Sequence, residues 1–177
     1  DGPLPRSAAT AVRRAVREQT GDILVFLPGV GEIRRTAEQL ADETGLLVHP
    51  LYGNLSQAAQ YAAIAPDPKG RRKAVLATNI AETSLTIEGI RVVIDGGWMR
   101  VPRFDPAGGL TKLETVRVSR ASAEQRKGRA GRLGPGVCYR LWSEQIQEGL
   151  VPHNQPEILS ADLAGLALEL ARWGVTK

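Results

Sequence analysis

Ile23–Leu27 is an unbroken apolar run, partly β-branched and bounded by Gly21-Asp22 and Pro28-Gly29, the pattern of a strand buried on both faces. Leu46–Leu51, Ala74–Ala77, Val92–Asp95 and Val137–Leu141 read as four further strands. Between these runs apolar residues recur at helical spacing. Ala8, Ala11, Val12, Ala15 and Val16 form a stripe on a helix that Ser7 can cap and that runs to about Gln19. Ile33, Ala37 and Leu40 mark a helix over about Glu32–Glu43, and Ser56 opens another through about Ile64. Residues 78–87, TNIAETSLTI, give a loop and a short helix. Strands alternating with helices at these intervals predict an α/β fold with an open parallel sheet flanked by helices on both faces.

The pattern changes after Asp95. Val101–Phe104 and Leu113–Val118 flank DPAGG and predict an antiparallel β-hairpin inserted near 101–118. A basic helix follows, with Ser122 as its expected cap. From Ser143 to Pro156 the chain reads as irregular with one short helix. Ala161–Trp173 carries Leu163, Leu166, Leu170 and Trp173 along one stripe.

Composition narrows the classes without choosing among them. A chain of 177 residues, 42% hydrophobic and 24% charged, can bury a core and suits one domain with room for a short appendage. The formal net charge of +4 permits a polyanionic partner but does not demand one. Cys138 is alone, which excludes an internal disulfide and a thiolate metal cluster, and it is expected as a small buried hydrophobe in a cytoplasmic protein. No apolar run reaches the length of a membrane span, so no membrane partner is expected. The opening DGPLPRS lacks the apolar core of a signal peptide and reads as a linker over residues 1–6.

In an open parallel sheet, ligands bind beyond the carboxyl ends of the strands. The loops there are Pro28–Glu32, Tyr52–Ser56, Thr78–Thr86 and Gly96–Arg100, rich in backbone donors and hydroxyls. Taken singly, each of these residues is also explained by turn and cap chemistry. The densest signal is Ser119–Arg132, SRASAEQRKGRAGR. With Ser122 as cap, Gln125, Arg129 and Arg132 fall on one helix face, where a glutamine and two arginines suit the oxygens of a phosphoryl group. Gly128 and Gly131 would each cost roughly 1 kcal/mol inside that helix. A solvated basic helix, or a patch holding nucleic-acid phosphates, fits the same spacing. The sequence has no GxxxxGK(S/T) phosphate loop and no GxGxxG after its first strand, so neither a complete nucleotide hydrolase nor a dinucleotide site is expected. His49 and His153 are isolated, and no metal site is expected.

LVFLPGVGEI (Leu24–Ile33), ATNIAETSLTIEGIRVVID (Ala77–Asp95) and QRKGRAGR (Gln125–Arg132) together resemble motifs IV, V and VI of the DEAH-box helicases, in order and in spacing. The SRASAEQRKGRAGRLGPGVCYRLWSE run and the PEIL…DLA…LALELARWG tail resemble the bacterial HrpB type. The resemblance implies a second RecA-like domain over residues 7–145. Residues 146–177 would then be a linker and a helix leading to a further C-terminal domain. It implies ATP with Mg2+, held mainly by a first RecA-like domain of the same full-length chain, and single-stranded RNA or DNA as partner. Gln125, Arg129 and Arg132 match the positions that face the γ-phosphate, the arginines as fingers. Thr78, Asn79 and Thr83, with Gly29 and Gly31, match the grip on nucleic-acid phosphates. Ser84, Thr86 and Glu88 match positions near the ribose and the domain cleft. Ile64 stands where relatives often carry an aromatic that stacks on the base, and Tyr61 lies one turn earlier. The hairpin matches the element that separates or guides strands. The reading from another class is a free-standing nucleic-acid binding module without catalysis.

Overall fold

The computed structural model of the protein describes residues 4–83, 85–105, 107–132, 134–156 and 163–174. Its centre is β1 (Asp22–Phe26), paired in parallel with β3 (Arg72–Ala77) on one side and β4 (Ile90–Asp95) on the other. Beyond β3 lies β2 (Leu46–Leu51), and beyond β4 lies β7 (Val137–Arg140), giving the order β2-β3-β1-β4-β7. Successive side chains of a strand point to opposite faces, and the apolar runs are divided accordingly. Ile23, Val25, Ala74, Leu76, Val92 and Ile94 face one core with Ala8, Val12, Ile33 and Leu40. Leu24, Phe26, Val75, Ala77 and Val93 face the other with Leu51, Ala63, Ala81 and Ala130. The first core is covered by α1 (Leu4–Glu18) and α2 (Val30–Gln39), the second by α3 (Gln57–Ile64) and α4 (Ile80–Thr83).

The expected sheet and the inserted hairpin are therefore both present, with shifts at several ends. Helix α1 begins at Leu4 rather than after Ser7, because Pro5 in a first turn gives up no hydrogen bond. Ser56 does cap α3, its hydroxyl accepting from the N–H of Ala59 at 3.3 Å. The hairpin is longer than its apolar pattern suggested: β5 (Trp98–Asp105) pairs with β6 (Leu110–Arg117) over its whole length. Its root is closed by the N–H of Val118 donating to the carbonyl of Gly97 at 3.1 Å.

A third, smaller core joins Met99 and Val118 at that root to Ala123 of α5 (Arg120–Lys127) and to Leu150, just past α6 (Glu144–Glu148). Helix α7 (Ala164–Arg172) exposes Leu166, Leu168 and Leu170, with Leu163 and Trp173 at its ends. Among the described residues no helix is long and apolar enough to cross a membrane.

Candidate functional site: an arginine turn and a phosphate-sized groove

Helix α5 is capped by Ser119, not Ser122: Ser119 Oγ accepts from the N–H of Ser122 at 3.1 Å. Ser122 turns inward, and its hydroxyl donates to Glu82 Oε1 at 2.7 Å. The helix stops at Lys127 with Gly128 as its C-cap. Arg129 and Arg132 therefore follow the helix on a turn and do not share its face with Gln125. Gly128 and Gly131 carry no helix-interior penalty, which removes the cost read from the sequence.

Gln125, Arg129 and Arg132 nevertheless meet. With Glu82, Thr83 and Gly128 they line one open depression of about 280 Å³. Arg129 is only 8% exposed. Its Nε donates to the carbonyl of Glu82 at 2.7 Å, Nη1 to the carbonyl of Leu85 at 2.6 Å, and Nη2 to Glu82 again. Burial, and then the nearby Arg132 charge, lower its pKa from the usual guanidinium value. Arg132 is exposed, and its Nη1 donates to Thr86 Oγ1 at 3.1 Å. Thr83, expected beside the nucleic-acid grip, lines this depression instead. Ser84 lies outside the described residues.

The sequence did not single out Arg126, which is 1% exposed and the hub beneath the turn. Its Nε donates to Glu82 Oε2 and its Nη1 to Asp95 Oδ1, both at 2.9 Å. Nη1 also reaches the carbonyl of Trp98 at 3.3 Å, and the guanidinium lies over the Phe26 ring. Asp95 Oδ1 also accepts the N–H of Gly97, while Oδ2 has no hydrogen-bond partner among the described residues. Burial pushes the Asp95 carboxyl up, against the pull of Arg126. The missed signal was the small pair Ser122 and Ala123, four and three residues before Arg126. On a helix those positions share a face, and that face is the buried one.

The carboxyl ends of β1, β2 and β3 form a groove of about 250 Å³, lined by Gly29, Gly53, Asn54, Thr78 and Asn79, with Arg100 and Leu113 from the hairpin. Gly29, Thr78 and Asn79 thus come together as expected. Gly31 stands inside α2 near Arg35 and does not line the groove. Arg100 was overlooked as an isolated base on a hairpin leg. Its Nη2 lies 3.7 Å from Glu32 Oε2, while Glu32 Oε1 takes a hydrogen bond from Arg35 at 2.8 Å.

Ile64 and Glu88 lie towards the amino ends of the strands. Glu88 lines a cleft of about 490 Å³ with Asp22, Asp67 and Arg71. Ile64 is half-buried at the last turn of α3, where the fully buried Lys73 Nζ donates to the carbonyls of Ala63, Ile64 and Ala65 at 3.0, 3.2 and 2.6 Å. Burial lowers the Lys73 pKa. Tyr61 is 73% exposed. Among the described residues no group of three or more His, Cys, Asp or Glu could hold a metal ion.

The five-stranded parallel sheet of this order, with an antiparallel hairpin and an arginine turn, is the frame of a helicase C-terminal domain, as the relatives of the chain show. The helicase conserved C-terminal domain family matches residues 7–134, and the chain belongs to it. It is 55% identical over 97% of its length to the ATP-dependent RNA helicase HrpB of Escherichia coli, of which it spans 22%. It is 45% identical over 89% of its length to the probable ATP-dependent RNA helicase DHX34 of Homo sapiens, of which it spans 14%. The crystal structure of Escherichia coli DEAH/RHA helicase HrpB superposes with a TM-score of 0.92 at 52% identity, covering 99% of this chain and 23% of that one. The resemblance to HrpB-type DEAH-box helicases is borne out, and the chain spans a small part of such relatives.

Proposed function

We propose that this chain is the second motor domain of an ATP-dependent RNA or DNA helicase and supplies one wall of a nucleotide site. The carrying observation is that Gln125, Arg129 and Arg132 converge on one open depression in a chain without a phosphate loop. Three side chains of this kind suit the phosphoryl oxygens of ATP held from the other side by a first RecA-like domain. Arg132 reaches the transferring group as an arginine finger, worth about 10³–10⁵-fold in rate, and Arg129 supports it from its seat on α4. The donor set fits an anion. Among the described residues no acidic cluster suits Mg2+; the ion would be held with ATP by the first domain and would neutralise charge on the phosphates. Thr86, bound by Arg132, serves the nucleotide side of the cleft, and the family resemblance alone assigns Ser84, Glu88 and Ile64 to that side.

The groove of Gly29, Thr78, Asn79 and Arg100 takes the backbone phosphates of a single strand. Contacts of this kind position the strand without reading its sequence. Helix α4 links the two sites: it starts next to Thr78–Asn79, and Arg129 holds the carbonyl of Glu82 within it and that of Leu85 just beyond it. Nucleotide closure that moves Arg129 therefore moves the groove. The hairpin stands at the groove's rim through Leu113 and parts or guides the strands there. The contacts of Leu150–Asn154 with α5 favour counting that strap with the motor domain, while the exposed face of α7 suits a lead towards a further domain. We place the full-length protein in the cytoplasm.

The test is ATP turnover by the full-length protein with and without single-stranded RNA or DNA. Stimulation that Arg132→Ala abolishes supports the reading, and normal turnover in that variant removes the finger assignment. Steeply salt-dependent nucleic-acid binding by these 177 residues, with no nucleotide response in the full-length protein, favours the free-standing binding module.

A further inference from the structure

The first N–H groups of a helix have no partners within it. In α5 a segment from beyond α6 closes them. The N–H of Arg120 donates to the carbonyl of Val151 at 2.8 Å and that of Ala121 to Pro152 at 3.1 Å. The N–H of Ser119 donates to Asn154 Oδ1 at 3.2 Å. The other end of the same carboxamide meets the hairpin, with Asn154 Nδ2 donating to Sδ of Met99 at 3.7 Å. Leu150, 6% exposed, fills the space between Met99, Val118 and Ala123 below.

A two-stranded ribbon is marginal in water and needs packing to hold an orientation. Here the apolar packing gathers at the root, and Arg100 adds a longer contact to Glu32 at 3.7 Å. Between the strap and the hairpin legs lies a cavity of about 180 Å³, lined by Val101, Val116, Arg117, Val151 and Asn154. Asn154 sits where the strap, the helix N-terminus and the first turn of the ribbon meet. A carboxamide accepts at one end and donates at the other, and a carboxylate only accepts.

We propose that Asn154 is a positioning residue that fixes the hairpin to the helix leading into the arginine turn, so that the hairpin follows when the nucleotide cleft closes. The inference rests on the helicase reading above. With the tie cut, ATP is still hydrolysed but the ribbon pivots about its legs, and less of each closure reaches the strands.

The test uses the full-length protein, with ATP turnover and duplex opening measured together on a tailed substrate. Asn154→Asp keeps an acceptor for the N–H of Ser119, in favourable contact with the helix N-terminus, and loses the donor to Met99. Its turnover should stay within about twofold of wild type while base pairs opened per ATP fall about 3- to 10-fold, the range of coupling mutations. Met99→Leu should reproduce this fall and add nothing when combined with Asn154→Asp. Wild-type coupling in Asn154→Asp, or an equal fall in turnover and opening, overturns the proposal. A wild-type protein that turns over no ATP with any nucleic acid overturns the helicase reading, and the inference with it.

Discussion

The guanidinium of Arg100 occupies the space that a side chain on Gly29 would need: a Cβ at residue 29 would stand 2.7 Å from Arg100 Cζ and 2.8 Å from its Nη1. The glycine in the PGVG loop thus seats a cation at the mouth of the groove. Gly29→Ala should displace Arg100 and weaken single-strand binding about as much as Arg100→Ala does. Each variant should lower the slope of log affinity against log salt by about 1, one phosphate contact fewer. Binding titrations at several salt concentrations decide it, and an unchanged slope in Arg100→Ala would remove that residue from the grip.

Arg126 holds two carboxylates that have no other cationic partner among the described residues. Removing one member of a buried pair leaves the other charge uncompensated, at about 3–5 kcal/mol. Arg126→Ala should lose stability on that scale in urea denaturation. Arg126→Lys should recover little of it, since a single ammonium cannot reproduce the fork that reaches Glu82, Asp95 and the carbonyl of Trp98 together.

The two arginines of the turn should separate in a stability measurement. Arg129→Ala strips donors from the buried carbonyl of Glu82 and the part-buried carbonyl of Leu85 and should cost about 1–3 kcal/mol. Arg132→Ala, at an exposed position, should leave stability unchanged within about 0.5 kcal/mol. In the full-length protein both should cut ATP turnover, Arg132→Ala by about 10³-fold or more. Equal melting curves for the two variants would show that Arg129 is not holding α4.

Asp67 accepts hydrogen bonds from the Arg71 side chain and from the N–H groups of Lys69 and Arg71, and these hold its pKa down at about 2. A depressed carboxylate stabilises the fold above its unfolded pKa, and that contribution disappears as pH falls through the folded value. Wild type should therefore melt above Asp67→Asn at neutral pH. The difference should shrink from about pH 4 and vanish near pH 2. Thermal melts of the two proteins across that range read the effect directly.

The sheet was legible because strands buried on both faces need continuous apolar runs, as in Ile23–Phe26 of β1 and Ala74–Ala77 of β3, while the half-buried edge strand β2 tolerates His49 and Pro50. The convergence of Gln125, Arg129 and Arg132 was legible as a cluster but not as a geometry. Ser119 and Ser122 are equally good caps in sequence, and the choice between them rotates the inner face of α5 and decides where the helix ends. Arg126 and Arg100 were opaque for another reason. Their roles depend on Glu82, Asp95 and Gly29, which only tertiary folding brings near, so nothing set Arg126 apart from Arg120 and Lys127 until burial did.

The hydrogen bond between Val118 and Gly97 has a consequence for how such domains diversify. Both legs of the hairpin leave the body at one closed pair, so everything from Trp98 to Arg117 is an excursion that begins and ends at the same point. Its length, charge and tip can change without altering the register of a single sheet strand. The motor can keep its sheet and its arginine turn while the part that meets the substrate is exchanged. One engine can thereby acquire different tools through changes confined to a short stretch of gene.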